Sequence, residues 1–247
     1  IFKNMKLDAN CIKQYSHENS TFYEIKLGNN ITLSKFKKNI NEIIFRLGID
    51  FNPYLEVRPQ EGIIRLQVVN NLPDDIDFLE HYKTPPTEYD FFLGKDYFGK
   101  HIFLNLEHNS NILLAGTTGS GKSVALHSFI ANSMLCKHKV ELFLGDPKLV
   151  EFSAYKNLSI VNHVAHSYDD HLAMLNYIHS IMEQRFDILK SLNASNINDI
   201  PEISRIVVIV DEISDLMIQD SQQKNYPFRT KLISVAQKCR AAGINLI

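Results

Sequence analysis

The sequence has few cysteines and no long apolar run, and each absence narrows the class of protein. Its three cysteines, Cys11, Cys136 and Cys239, show neither disulfide nor metal-site spacing, as expected in a reducing compartment. No apolar stretch approaches the ~20 residues that a membrane helix requires, and no signal-peptide pattern begins the chain. We therefore expect a cytoplasmic protein, with any membrane tether supplied by an upstream segment outside this sequence.

The chain also lacks an excess of basic over acidic residues. Lys and Arg number 26 against 28 for Asp and Glu, so the net charge is −2 at pH 7. No basic field surrounds the whole molecule, and contact with nucleic acid would therefore require local positive charge. With 45% hydrophobic residues among 247, the chain can still bury a sizeable core, most simply as one large and one small domain.

Against this background, one glycine-rich segment stands out. Residues 116–123 read Gly-Thr-Thr-Gly-Ser-Gly-Lys-Ser, preceded by a strand-like apolar run at 111–115 and followed by helical apolar spacing at 124–131. Strand, glycine loop and helix start are the context in which this pattern binds phosphate through backbone N–H groups. We predict that a nucleotide, ATP, is bound by Gly116, Thr117, Thr118, Gly119, Ser120, Gly121, Lys122, Ser123 and Val124.

Two side chains of this loop carry specific chemistry. Lys122 has the position of the lysine that reaches the β- and γ-phosphates, and Ser123 that of the hydroxyl that coordinates Mg²⁺. The sequence therefore predicts Mg²⁺ as the second cofactor.

A second motif supplies carboxylates. The aliphatic run 206–210 indicates a strand buried on both faces of a parallel sheet, and it ends at Asp211 and Glu212. Ligands of such sheets lie at the carboxyl edge, where Asp211 is predicted to orient Mg²⁺ and Glu212 to activate water as general base. Lys122, Asp211 and Glu212 are thus our candidate catalytic residues, and hydrolysis of ATP is the predicted reaction.

The predicted fold class is α/β. Residues 85–247 are predicted to form a P-loop NTPase core with a RecA-like parallel sheet, and residues 1–84 a small α+β domain before it, with residues 1–20 irregular. In this small domain, the patterns indicate a strand at 22–27, one helix over 36–47 and a hairpin of 54–58 with 63–69.

Asp146 and Lys148 follow a predicted strand at 140–144 and should also reach the nucleotide edge. Two readings stay open for this pair. They sense the phosphate state or contact a neighbouring subunit, or they are solvated charges at the end of a strand.

Several blocks resemble the FtsK/SpoIIIE DNA translocases. The loop 115–124 shares their Ala-Gly-Thr-Thr lead-in, 145–148 with Glu151 and Phe152 resembles their Asp-Pro-Lys segment, and 210–217 resembles their Walker B stretch. Similar segments occur at 92–96 and 236–244, and the resemblance covers roughly residues 20–247.

The resemblance implies an ATP-driven double-stranded DNA translocase, working as a homo-oligomeric ring with six subunits expected, in chromosome segregation or in conjugative or mobile-element transfer. It implies membrane or conjugation-machinery partners through regions outside this chain. It also implies a motor truncated at its C-terminal end, since residues 244–247 correspond to a core strand. Arg240 matches an arginine of the family and is a candidate finger for a neighbour's nucleotide, although a basic residue also favours a helix C-terminus.

Two alternatives stay open for the function. One is a secretion ATPase of the same superfamily that moves protein. The other is an assembly module that nucleotide locks together without turnover, against which the presence of Glu212 argues.

Overall fold

An antiparallel sheet is built from the first part of the chain. The computed structural model describes residues 2–17, 20–48, 54–58, 62–69, 77–96, 100–136 and 139–247. The sheet has the order β1–β2–β4–β3, with β1 at Ala9–His17, β2 at Ser20–Leu27, β3 at Tyr54–Arg58 and β4 at Ile63–Val69. The strands predicted at 22–27, 54–58 and 63–69 are confirmed.

Strand β1 corrects the expectation that residues 1–20 are irregular. Its sequence has little apolar alternation, and Cys11 to Gln14 are exposed. Its order comes instead from an antiparallel ladder with β2 that runs from Ala9 opposite Leu27 to His17 opposite Ser20. Backbone hydrogen bonds leave no apolar alternation in the sequence. An edge strand held mainly by such bonds is therefore not visible in the hydrophobic pattern.

The single helix predicted over residues 36–47 is two helices. Helix α1 spans Leu33–Lys38 and α2 spans Ile40–Leu47. Asn39 separates them with φ −95° and ψ 4°, and its side-chain amide donates to the Lys35 carbonyl over 2.7 Å. An asparagine that binds the backbone locally competes with helix continuation, which explains the break. Gly48 ends α2 in the left-handed region.

A parallel sheet forms the second part of the chain, in the order β10–β9–β7–β8. Its strands are β7 at Val140–Gly145, β8 at Val161–Ala165, β9 at Arg205–Val210 and β10 at Ile244–Leu246. Strand β9 sends Ile206 and Val208 into one core and Val207 and Ile209 into another. Its burial on both faces is confirmed.

Helices cover both faces of this sheet. Helix α4 (Lys122–Leu135) contributes to one core, and α5 (Tyr168–Ser191), α6 (Ile213–Asp220) and α7 (Pro227–Lys238) contribute to the other. The remaining elements are α3 (Phe78–His81) and a two-stranded sheet of β5 (Asp90–Lys95) and β6 (His101–Asn105). None of the helices within the described ranges is both long and apolar enough to cross a membrane.

The run before the glycine loop pairs less than predicted. Residues 111–115 were expected as a strand, but only Asn111 forms a bridge, parallel to Leu246 of β10. The Ile112 N–H donates to the Leu246 carbonyl over 2.8 Å, while Leu113 is 85% exposed. Among the described strands only β10 pairs with residues 111–115. This run therefore has sheet hydrogen bonds along one edge. The pairing nevertheless places the glycine loop at the carboxyl edge of the sheet.

The chain divides into two compact units. One comprises residues 1–81 with Gly94–Ile102, and the other comprises Tyr82–Leu93 with Phe103–Ile247. The domain boundary between residues 84 and 85 stays a prediction. All the candidate site residues lie in the second unit.

Candidate nucleotide-binding site

The glycine loop has the backbone conformation that phosphate binding needs. Gly119 and Gly121 lie at φ 80° and 88°, in the left-handed region that side chains disfavour. Residues 115–121 are exposed. Helix α4 then begins at Lys122, and its N-cap residue, Gly121, provides no side-chain hydrogen bond. The free N–H groups and the helix dipole therefore point at solvent, as a phosphate group requires.

Lys122 joins this loop to the carboxylates at the end of β9. Its Nζ donates to Oδ1 of Asp211, and it lies 3.3 Å from Oε1 of Glu212. The hydrogen bond to Asp211 raises the pKa of Lys122 in spite of partial desolvation, so the ammonium stays charged. Residues that stand 89 and 90 positions apart in the sequence thus meet at one point. An adjoining cavity of about 530 Å³ is lined by Gly116 and these three residues, together with apolar residues that include Leu232.

The two carboxylates differ in exposure. Asp211 has a side chain only 7% exposed, and its N–H donates to the Gly145 carbonyl over 2.9 Å. Glu212 is 32% exposed and adopts φ 51°, a left-handed conformation that is rare outside glycine. The inner acid suits a cation and the outer acid a reacting water.

The donors present fit Mg²⁺ better than a soft metal. The Ser123 hydroxyl and the Asp211 carboxylate are oxygen donors, which Mg²⁺ prefers. Within the described ranges no three His, Cys, Asp or Glu side chains converge as a ready-made metal cage. A cation here would thus take most of its ligands from phosphate and water, as Mg²⁺ does in nucleotide sites.

A group of hydrogen-bonded side chains beside Ser123 was not among the predicted site residues. Ser123 Oγ donates to Glu151 Oε1 over 2.8 Å. The other oxygen of Glu151 lies 3.2 Å from His127 Nε2, and Tyr155 OH lies 3.0 Å from His127 Nδ1. The sequence held two signals, the spacing of Ser123 and His127 by one helical turn and the place of Glu151 in the segment that resembles the family's Asp-Pro-Lys block. Nothing in the sequence pairs that face of α4 with residue 151.

Comparison with known proteins identifies the family. The model of the FtsK/SpoIIIE family matches residues 79–203, a range that includes the glycine loop and Glu151. The chain belongs to the FtsK/SpoIIIE family. Relatives named DNA translocase FtsK include one from Chlamydia muridarum, 28% identical over 91% of this chain and 31% of the relative. One from Helicobacter pylori is 24% identical over 99% of this chain and 30% of the relative. The chain thus spans about a third of these relatives.

Solved structures agree on the fold. The pCW3 conjugation coupling protein TcpA, in its monomer form with ATPγS, matches 99% of this chain and 73% of its own, with TM-score 0.62 and 19% identity. The cytoplasmic domain of the type VII secretion ATPase EccC of Thermomonospora curvata matches 71% of this chain and 23% of its own, with TM-score 0.56 and 19% identity. The predicted P-loop ATPase fold is confirmed.

Asp146 and Lys148, in the Asp-Pro-Lys segment of this FtsK/SpoIIIE chain, occupy different environments. Asp146 is buried, and its Oδ2 accepts the N–H groups of Glu151 and Phe152, each over 2.9 Å. It braces the loop after β7. Lys148 is about half exposed, and its Nζ lies 3.7 Å from carboxylate oxygens of both Glu212 and Asp215. Of the pair, Lys148 is the one beside the candidate general base.

Arg240 is not brought to the loop of its own chain. It lies between α7 and the start of β10, and its Nε donates to the Glu107 carbonyl over 3.1 Å. Because β10 and β9 are parallel, this turn belongs to the amino edge of the sheet. Ile244 pairs with Ile206, five residues before Asp211, which is roughly 16 Å of strand.

Proposed function

We propose that this chain is the ATP-hydrolysing part of a DNA translocase. The observation that carries the proposal is the contact of Lys122 with Asp211 and Glu212, which joins the phosphate-binding loop to the carboxylates at one sheet edge. Family membership and the naming of the relatives as DNA translocases support the DNA substrate.

The residues of the candidate site have separate roles. The backbone N–H groups of residues 116–124 and the Lys122 ammonium bind the phosphates of ATP, and Glu212 accepts a proton from the attacking water. Ser123 and Asp211 hold the cation, directly or through water. Bound Mg²⁺ would neutralise charge that develops on the β- and γ-phosphate oxygens.

DNA movement is proposed for the whole protein that contains this chain. A homo-oligomeric ring, with six subunits, would surround the duplex and contact its phosphates, so binding should be tolerant of sequence and weakened by salt. Chromosome segregation and conjugative or mobile-element transfer both use this activity, and the cytoplasm is the proposed location.

Steady-state ATP hydrolysis tests the proposal, with and without linear duplex DNA. ATP turnover by the wild-type whole protein should be strongly stimulated by the duplex. Lys122→Ala and Glu212→Gln should each lower stimulated turnover by about 10²-fold or more, since one loses a phosphate-binding charge and the other the general base. Lys224→Ala and Glu202→Gln, at exposed positions, are matched controls that should behave as wild type.

The same assay separates the alternatives. Turnover that ignores DNA but responds to an unfolded polypeptide would favour a secretion ATPase, the class of the EccC neighbour. A Glu212→Gln variant indistinguishable from wild type would favour a nucleotide-locked assembly module.

A further inference from the structure

The hydrogen bond from Ser123 to Glu151 assigns a role to a residue outside the two nucleotide motifs. We propose that Glu151 is a positioning residue for the Ser123 hydroxyl and so sets how strongly Mg²⁺ strengthens nucleotide binding. The inference rests on the proposed function, because it requires that Mg²⁺ and ATP bind at this loop.

The Ser123 hydroxyl can contact both Glu151 and a cation. A serine hydroxyl has one proton to donate and two lone pairs that accept. Ser123 gives its proton to Glu151 Oε1 over 2.8 Å, which leaves its lone pairs for a cation. A carboxylate that accepts from a metal ligand orients that ligand and makes it more basic, as partners behind metal ligands generally do.

Glu151 is itself held by its neighbours. An ionised carboxylate only accepts hydrogen bonds, so the His127 Nε2 that lies 3.2 Å from Oε2 must be the donor. In neutral imidazole the other nitrogen is then an acceptor, which matches Tyr155 OH at 3.0 Å from Nδ1. Tyr155 donates to His127, His127 donates to Glu151, and every hydrogen bond in this group has a consistent direction.

The backbone of Glu151 is equally constrained. Its N–H donates to the buried carboxylate of Asp146, which also accepts from Phe152. Glu151 thus approaches α4 from the loop after β7 and spans Ser123 and His127, which lie one helical turn apart. The position of the carboxylate is therefore fixed from two sides, by His127 of α4 and by the loop after β7.

A purely structural role makes a different prediction. If Glu151 only ties its loop to α4, its loss would lower thermal stability and would weaken nucleotide binding equally with and without Mg²⁺. A role through Ser123 changes the Mg²⁺-dependent part of the affinity alone.

The test is equilibrium binding of a fluorescent ATP analogue to this chain, in excess Mg²⁺ and in EDTA, with thermal denaturation measured alongside. Glu151→Ala should weaken binding in Mg²⁺ by about 10-fold or more, the scale seen when a partner behind a metal ligand is removed, with little change in EDTA. Glu151→Gln retains an acceptor oxygen and should retain most of the Mg²⁺ effect. Lys156→Ala, in the same loop, is the control and should match wild type.

A double variant shows whether Glu151 acts through Ser123. Ser123→Ala should lose the Mg²⁺ effect, and adding Glu151→Ala to it should cause no further loss. Equal affinities of Glu151→Ala and wild type in Mg²⁺, or a further full loss in the Ser123→Ala background, would overturn the inference. Failure of wild type to bind the analogue in either condition would instead overturn the proposed function.

Discussion

At the residue scale, the conformation of Glu212 shows a conflict between folding and chemistry. Its φ of 51° places a side chain in the left-handed region, which costs roughly 1–2 kcal/mol for residues other than glycine. Such strain persists where the surrounding structure imposes it, and it concentrates at functional sites. Here the strained residue is the predicted general base.

Replacing Glu212 by glycine should therefore separate stability from activity. We expect Glu212→Gly to raise the free energy of unfolding by up to about 1 kcal/mol, because glycine adopts this conformation without strain. DNA-stimulated hydrolysis by the whole protein should be lost. Urea denaturation and turnover measure the two effects.

Asn225 offers a matched control for this change. It also has a positive φ, 66°, but it is exposed and belongs to the turn before α7. Asn225→Gly should raise the free energy of unfolding by less, since asparagine tolerates the left-handed region. It should leave ATP turnover intact. A Glu212→Gly variant less stable than wild type would show that relief of strain is smaller than the loss of the Glu212 contacts with Lys122 and Lys148.

At the element scale, Asp220 secures the start of α7. The residue before that helix, Tyr226, supplies no side-chain cap. Asp220, the last residue of α6, accepts instead from the N–H groups of Phe228 over 2.9 Å and Arg229 over 3.1 Å. Tyr168 of α5 donates to it over 2.7 Å. One buried carboxylate thereby connects three helices on one face of the sheet.

Loss of this carboxylate should cost stability in a pH-dependent way. We expect Asp220→Asn to lower the free energy of unfolding by about 2–3 kcal/mol, since hydrogen bonds to a buried charge are replaced by weaker ones. Burial alone would raise the pKa of Asp220, but the hydrogen bonds from Tyr168, Phe228 and Arg229 outweigh it and lower the pKa. The stabilisation is then present above the ordinary Asp pKa and is lost as pH falls through the lowered value.

Denaturation at several pH values tests both parts of this prediction. The difference between wild type and Asp220→Asn should be largest near neutral pH and should shrink below about pH 4. Asp187→Asn, exposed on α5, is the control and should change stability little at any pH. A difference that stays constant down to low pH would contradict the linkage.

At the scale of the whole molecule, the position of Arg240 bears on assembly. It lies at the amino edge of the sheet, hydrogen-bonded to Glu107, while the nucleotide loop lies at the carboxyl edge. An arginine so placed can act on a nucleotide only across a subunit interface. The finger role of Arg240 is therefore a proposal about the ring rather than about one chain.

Mixed rings test this role. Lys122→Ala and Arg240→Ala should each abolish DNA-stimulated hydrolysis in the whole protein. An equal mixture should recover about a quarter of wild-type turnover, because half of the loops are intact and half of these meet an intact arginine in a head-to-tail ring.

The control is a mixture of Lys122→Ala with Glu212→Gln. Both changes affect the loop side of the interface, so no site in such a ring is complete and no recovery is expected. An Arg240→Ala protein as active as wild type, or mixed rings without recovery, would refute the finger role.

Local sequence patterns predicted much of this fold because several elements depend on local chemistry. Gly119 and Gly121 adopt the positive φ that glycine allows, and the aliphatic run 206–210 has no solvent-compatible face, so loop and buried strand follow from residue type alone. The edge strand β1 and the break at Asn39 did not follow, since one depends on a ladder with β2 and the other on a single side-chain hydrogen bond.

By itself, the sequence determined the family, the glycine loop at residues 116–121 and the two acids after β9, because each resides in a short contiguous pattern. Only the tertiary structure decided which side chains meet. It brought Lys122 to Asp211 and Glu212, set Glu151 behind Ser123, and left Arg240 at the opposite edge of the sheet. These contacts join residues far apart in the chain, and they arise from strand order and crossover direction, which no local pattern encodes.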